Sequence, residues 1–494
     1  MAIKYISKDT TGLYEDEPGT KPKAHLLWGD RVSIEAAGPA RSKVKARGKT
    51  GFVDNSALGD TPLLEVYFID VGQGDGILIR TPDGRHVMID GGYKRAMQPS
   101  GKNAADFVDW KFARDYGVDT IHLDAILTSH NDADHYGGLS DLLNVSAVGE
   151  LDADHVRVDA YYHAGVAWWM KPQGDRWLGP TVTDGGRKYL TQLMGDRAQV
   201  EAALPSGASP RLQGDWREFM ECVAAATTAS GAPTPIKRLS QLDQFVPGFD
   251  GAGGTAALRV LGPFERQVGG QPALRSYASS PDKNTNGNSL LLRLDFGRVR
   301  ILLTGDLNSD SQRALLEDYT GNRIELQCDV AKACHHGSDD VSYEFLSAMR
   351  PAVTVISSGD SEGHDHPRPA VVAASATTGY LEIKDDAVVS PLVYSTELAR
   401  SVNLGRPTKL TIANPAGDIV VDRTDFGKVK IAASVTKAGD LNPSSVTRSM
   451  AGTYIVAGLI YGLVNVRTDG ETILCATLNE KDATWQIRKV KSRF

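Results

Sequence analysis

Residues 129–135 read SHNDADH, which places His130, Asp132, Asp134 and His135 in a single loop. Two imidazoles and two carboxylates so close together would repel or stay poorly solvated unless cations held them, and both types of group bind divalent metals. The simplest alternative is a helix-capping Asp134 beside exposed histidines, which leaves the other residues unexplained. Two later stretches add ligand types. RVRILLTGDL carries Asp306 at its end, a carboxylate able to bridge two cations, and Gly305 lets the chain approach closely. DVAKACHHGSDD carries His335 and His336. Neighbours on an extended segment point to opposite sides, so one of the two is expected to be a ligand, and the sequence leaves open which.

These residues need elements that deliver them to one place. From residue 64, the apolar runs LEVYFIDV, GILIR and HVMID alternate with the turns GQGDG and PDGR, the pattern of a sheet. DAILTSH (124–130) reads as a covered strand, and GGLSDLL as the start of a helix. The acidic loop then lies at a strand's carboxyl end, where open α/β sheets place their chemistry. NGNSLLLRL, RVRILLTGDL and the stretch before the histidine pair read as three further strands, each with a ligand-type residue at its end or mouth.

The chain has 494 residues, 41% of them apolar, enough for two or three domains. Residues 1–60 alternate short β-like runs with turns and read as a small barrel; 61–385 hold the acidic loop and later ligand strands, with 151–283 as an insertion covering the site; 386–494 read as a third, β-rich domain. The insertion offers Trp168 and Trp169, helical-looking RKYLTQLMGDRAQV and DWREFMECVAAATTA, and the basic pair Lys237 and Arg238. One tryptophan is expected in the lid's core, and the other is left open. The first residues lack the apolar region of a secretory signal, and YIVAGLIYGLV is shorter than the roughly 20 residues of a membrane-spanning helix, so a cytoplasmic protein without membrane contact is expected. Four scattered cysteines form no CxxC pair and read as buried free thiols. A net charge of −7 gives no global attraction for nucleic acid, which would have to be bound by local patches or a metal centre.

The order HxDxDH, GNS-type strand, TGD, HHGS and SSGDSEGHDHP (357–367), preceded by IDVGQGDGILI and IDGG, resembles the metallo-β-lactamase superfamily, and within it the hydrolase domain of ComEC-type DNA-uptake proteins and their free-standing relatives. WGDRV (Trp28–Val32) and GKTGFV (Gly48–Val53) resemble strands of the bacterial SH3-like (SH3b) module. The resemblance implies an α/β fold, an αββα sandwich with a small N-terminal β-barrel and a C-terminal β-rich region. It also implies a metal-dependent hydrolytic site at one edge of the two sheets, built from His130, Asp132, Asp134, His135, Asp306 and His335 or His336, with Asp75 and Asp90 supporting the ligands.

Two positions depart from the wider superfamily. Asp132 stands where a second histidine is usual, and Asn288 where a GHS-type histidine often sits. An oxygen-rich first site suits Mn²⁺ or Mg²⁺, and the second Zn²⁺ or Mn²⁺, so two divalent ions are expected. Ions about 3.5 to 4 Å apart would share and acidify a water for in-line attack on phosphorus. Asp134, Lys332 and His366 are the catalytic candidates; Asn288, Ser338, His364 and Arg368 are the substrate-binding ones. Ser358 reads as a turn cap. The first functional reading is a metal-dependent phosphodiester hydrolase, a nuclease acting on DNA. A cyclic or linear dinucleotide phosphodiesterase comes second and a lactone or thioester hydrolase third, and a binding module with a decayed site is disfavoured because the ligand types remain. The expected partners are a nucleic acid or nucleotide substrate and a protein partner for either terminal β module.

Overall fold

A computed structural model describes residues 2–98, 100–144, 148–277, 280–359, 366–384, 387–397, 409–412, 416–422, 424–425, 430–435, 444–449, 455–457, 463–479 and 484–494. Two large sheets face each other. The first runs through nine strands: Ile236–Arg238, Tyr161–His163, Ala125–Thr128, His86–Gly91, Gly76–Arg80, Leu64–Phe68, Val464–Thr468, Thr472–Asn479 and Thr484–Lys491. The second runs through eight, from Phe245–Asp250 through Ala257–Gly262, Leu291–Phe296, Val299–Leu303, Val330–Lys332, Val353–Ile356 and Leu392–Ser395 to Ile455–Ala457.

Alternation along the strands explains the layering, because successive side chains point to opposite faces. Val66, Phe68, Ile77 and Ile79 from the first sheet meet Leu292, Leu294, Ile301 and Val353 from the second in one continuous core. The outer face of the first sheet, with Tyr67, Leu78, Met88 and Ile126, is covered by helices Ala104–Asp109, Ala133–Leu143 and Gly214–Ala225. Leu291, Leu302 and Ala331 on the far side of the second sheet pack under helices Ser309–Asp318 and Tyr343–Met349. The architecture is the αββα sandwich.

Three expectations change. Residues 386–494 are not a separate β domain. Leu392–Ser395 and Ile455–Ala457 extend the second sheet in parallel, and Val464–Thr468 pairs antiparallel with Leu64–Phe68, adding three strands to the first. Nor is 151–283 only a lid, since it supplies edge strands to both sheets. The RKYLTQL stretch is no helix: Arg187–Leu190 is a strand pairing with Gln271–Ser276, and the helix begins later, at Arg197–Ala203. Trp168 and Trp169 are both core residues, as is Trp216.

Strands between Ile3 and Gly59 form a seven-stranded antiparallel sheet with a core of its own, including Leu13, Leu26, Val44 and Val53. It docks on the C-terminal strands. Arg467 pairs with Asp30 (2.8 Å) and donates to the Trp28 carbonyl (2.7 Å), while Trp485 Nε1 donates to the His25 carbonyl (2.9 Å). Beside this joint Arg80 Nη1 meets Glu65 Oε1 at 2.7 Å, Arg80 Nη2 meets Tyr5 Oη at 3.2 Å, and Tyr67 donates to Glu65. No helix among the described residues is long and apolar enough to cross a membrane.

Candidate metal centre

Strand Ala125–Thr128 leads straight into His130, and helix Ala133–Leu143 starts inside the acidic motif, so Asp134 and His135 lie on its first turn. Asp132 occupies the cap position, yet its side chain makes no cap hydrogen bond; it accepts from Thr285 Oγ1 at 2.9 Å instead. The capping explanation of this loop therefore fails.

Asp306 and His336 come from the second sheet. Strand Val299–Leu303 ends before Gly305, whose φ of +51° is the left-handed region that glycine enters without strain. A β-carbon there would stand 2.8 Å from Ser289 Cβ, so glycine is also what lets the turn sit against the neighbouring strand. Ser289 Oγ accepts from the Asp306 amide at 3.1 Å. The histidine pair lies in a tight turn with φ of +46° at His335 and +52° at His336. Non-glycine residues adopt that conformation at a cost of order 1–3 kcal/mol each. The turn resolves the pair. His336 is fully buried at the centre, whereas His335 stands at the rim with its Nε2 3.8 Å from Asp306 Oδ2.

At the centre His135 Nε2 and His336 Nε2 face each other at 3.2 Å, and Asp306 Oδ2 lies 3.3 Å from the first and 2.9 Å from the second. Behind them His135 Nδ1 meets Asp90 Oδ2 at 2.9 Å, and His336 Nδ1 meets the Ser357 carbonyl at 3.1 Å. Acceptors at both Nδ1 atoms place the ring protons there and leave two Nε2 lone pairs directed at each other. Only a positive charge between them makes that arrangement favourable. Edges of roughly 3.0–3.4 Å are what ligands about 2.1 Å from one ion would show. Asp134 adds Oδ2 3.7 Å from His336 Nε2, and His130 Nε2, 3.6 Å from Asp132 Oδ2, is buried without a hydrogen-bond partner. The donor set fits divalent metal. His135 groups with Asp134 and His336, and with His130 and Asp306, each set with ligand atoms close enough together to hold an ion, and Asp132 stands beside His130.

The electrostatics agree. Burial alone would lower the His135 pKa, but Asp306, Asp90 and Asp134 outweigh it and raise it well above the usual value. His336, also opposed by burial, is raised to about 9 by Asp306 and Asp75. Both rings sit where carboxylates demand positive charge, which protons or metal can supply.

Other expected residues have different places. Lys332 is fully buried, with Nζ 2.5 Å from Asp75 Oδ2 and 2.8 Å from the Gly305 carbonyl, so it positions Asp75 and the Asp306 turn and does not reach substrate. Asp75 Oδ1 lies 3.3 Å from His336 Nδ1. Burial raises the Asp75 carboxyl, but Lys332 and then His336 hold it down at about 2. Asn288 is turned away from the metal residues: its amide donates to the carbonyls of Arg275 (3.0 Å) and Asn284 (2.8 Å). Asn286, two residues earlier, takes the inward place, its amide nitrogen donating to Asp132 Oδ2 at 2.9 Å. Arg368 begins helix Pro369–Thr378, its amide donating to the Gly337 carbonyl, and is not among the residues lining the cleft. Ser358 bonds to the Glu397 carbonyl. His364 lies outside the described residues.

Above the centre opens a cleft of about 620 Å³ lined by Asp132, Asp134, Asp306, His335, Ser338 and His366, among others. The His366 ring stands 5.8 Å from that of His335. Hairpin Trp169–Met170 with Arg176–Trp177 forms one wall, and there the Arg176 guanidinium lies 4.2 Å over the Trp168 ring. Arg176 is the one lysine or arginine lining this cleft among the described residues. Sequence reasoning missed it because nothing local ties an arginine in a two-residue strand to a loop forty residues away.

Residues 69–235 match the family model described as the metallo-beta-lactamase superfamily. The chain carries a metallo-β-lactamase domain. The matched stretch includes the acidic loop but not Asp306 or His336, which the fold brings to it. Among curated proteins the chain is similar to competence protein ComA of Neisseria gonorrhoeae, 39% identical over 87 residues, 17% of this chain and 12% of that protein. It is also similar to ComE operon protein 3 of Bacillus subtilis (strain 168), 30% identical over 95 residues, 19% of this chain and 12% of that protein. The chain thus spans about an eighth of the length of these relatives, and the similarity marks the metallo-β-lactamase domain as ComEC-like. Two solved structures overlap the chain: Tm1679, described as a metal-dependent hydrolase of the beta-lactamase superfamily (14% identical, 63% of this chain and 91% of that one, TM-score 0.28), and a diphosphatase from the PhnP family (12%, 59% and 85%, TM-score 0.25).

Proposed function

We propose that the protein is a metal-dependent phosphodiester hydrolase with two divalent ions, Mn²⁺ or Zn²⁺, and that it acts as a nuclease. The observation that carries this reading is the facing pair His135 Nε2 and His336 Nε2 with Asp306 Oδ2 against both, their far sides tied to Asp90 and the Ser357 carbonyl. Bound divalent ions would supply Lewis acidity and an acidified water. The chain's own groups do the rest. Asp90 keeps the His135 proton on Nδ1, so that the Nε2 lone pair stays free to bind metal. Lys332 fixes Asp75 and, with it, the back of His336. Arg176, held flat by Trp168, offers the cleft its cation for a non-bridging phosphate oxygen. His366 stands at the cleft to hand a proton to the leaving oxygen.

A second reading, a small phosphodiesterase, is favoured by the cleft's volume of about 620 Å³, which lies in the range that holds one nucleotide-sized ligand. The test is to strip the chain of metal, restore Mn²⁺, Mg²⁺ or Zn²⁺ singly, and offer single- and double-stranded DNA, RNA and bis(p-nitrophenyl) phosphate, with Asp134→Ala as control. Metal-dependent cleavage of polymer, lost in the variant, is expected. Cleavage of the small diester alone selects the second reading, and silence on every substrate with metal bound refutes both.

Arg176→Ala is expected to lower kcat/KM for a phosphodiester roughly tenfold to a hundredfold while metal content stays unchanged, since one charge-assisted donor to the developing charge is removed. Steady-state kinetics beside elemental analysis checks this; an unchanged kcat/KM removes Arg176 from the mechanism.

A further inference from the structure

A second depression, of about 850 Å³, lies on the other side of the wall that bounds the metal cleft. The wall is thin. Arg176 faces the cleft and the next residue, Trp177, faces the depression, as alternation along a strand requires. The short helix Pro281–Gly287 is shared in the same way, with Asp282 and Asn286 on the cleft and Pro281 and Asn284 on the other side.

The depression is basic in a chain of net charge −7. Lys171, Arg187, Lys188, Arg275 and Arg313 line it against the carboxylates Asp310 and Glu317. Glu317 is shared by Arg187 (3.0 Å) and Arg275 (3.7 Å), and Asp310 is taken by Arg313 (3.2 Å). Lys171 and Lys188 have no carboxylate partner among the described residues. Aromatic surface accompanies the charge. Tyr277 lies beneath the Arg275 guanidinium at 5.4 Å, and the half-buried Trp177 ring lines the depression, its indole Nε1 buried and without a hydrogen-bond partner. Cations that track a phosphate backbone, interleaved with aromatic rings that take bases, make up the pattern of a single-strand nucleic-acid groove.

From this juxtaposition we infer that the depression binds single-stranded nucleic acid and leads it over the Arg176–Trp177 wall to the metal centre. This rests on the phosphodiesterase reading and names its substrate as a polymer strand. The small cleft then takes only the scissile nucleotide, and the groove takes the strand beyond it.

The test uses the metal-loaded full chain and the variant Lys171→Glu/Lys188→Glu, both changes lying outside the metal cleft. Binding of a fluorescent, cleavage-resistant phosphorothioate oligo(dT) of about 12 nucleotides is read by anisotropy over a salt series. The variant is expected to bind at least tenfold more weakly, with a slope of log affinity against log salt shallower by about 1.4, two phosphate contacts on a single strand. Its hydrolysis of bis(p-nitrophenyl) phosphate should match the parent's. Unchanged affinity and slope overturn the groove, and equal affinity for a duplex of the same length overturns its assignment to single strands. Absence of diester hydrolysis in the parent would sink the catalytic reading, and is distinguishable because binding is read without cleavage.

Discussion

Asp306→Asn leaves the protein folded and removes its hydrolysis of bis(p-nitrophenyl) phosphate by a factor on the order of 10³ or more, several kcal/mol of transition-state stabilisation. Among the described residues the carboxylate lies nearest to the Nε2 atoms of both central imidazoles, at 2.9 and 3.3 Å, and its charge is deeply committed. Burial opposes that charge, but His336, His135 and Lys332 hold the carboxyl well below its usual range. An amide of the same shape keeps the turn, whose glycine and Ser289 bond involve the backbone, while it withdraws the charge that would hold metal. Elemental analysis should show metal content falling with activity, and circular dichroism should be unchanged. Full metal content with full activity would remove Asp306 from the centre and with it the assignment of the ligand set.

The second large effect concerns stability and lies far from the metal. Glu65 and Arg80 are 2% and 5% exposed, so removing one partner strands a buried charge, at about 3–5 kcal/mol. Glu65→Gln should lower the melting temperature by roughly 5 to 10 °C. A Glu65→Leu/Arg80→Met pair should recover part of the loss, because an apolar pair leaves no stranded charge. The pH dependence follows. Burial raises the Glu65 carboxyl, but Arg80, then Arg467 and Lys111, bring it down to about 2. A carboxyl lowered on folding contributes stability that is present above its unfolded value of about 4.3 and is lost as pH falls towards 2. Melting temperatures of the parent should therefore drop between about pH 4.3 and 2, and the Gln variant should lack that component of the slope. Parallel curves for the two proteins would show that Glu65 does not set acid stability.

The metal loop was legible because its chemistry is local: four ligand types in seven residues after an apolar strand state both what they are and where they sit. Asp306 and the histidine pair were legible for the same reason, as ligand types at strand ends. The choice between His335 and His336 was not, because it depends on a turn with two left-handed residues where an extended segment was expected. Lys332 was read as a catalytic candidate, and it positions Asp75 and the Asp306 turn instead. Its apolar strand indicated burial, but its partner Asp75 lies in the turn before Gly76–Arg80 of the other sheet, and pairing across sheets leaves no local mark. The αββα core was expected from the resemblance of the ordered motifs, and alternation marked the strands that build it, whereas the home of Val464–Thr468 was not legible, since an alternating strand looks the same whichever sheet it joins. Asn286 was within the NGNS stretch that was singled out, and the wrong asparagine of the two was chosen.

That late strand has a consequence for synthesis. Leu64–Phe68 is a fully buried strand whose neighbour on one side is Val464–Thr468, so during translation its hydrogen-bonding edge stays open until some four hundred further residues have been made. Every metal ligand has by then emerged from the ribosome. An open apolar edge templates pairing with other chains, and the longer it waits the greater that hazard. The nascent chain therefore carries every ligand residue before its sandwich can close, and this waiting edge is where mispairing with other chains is expected.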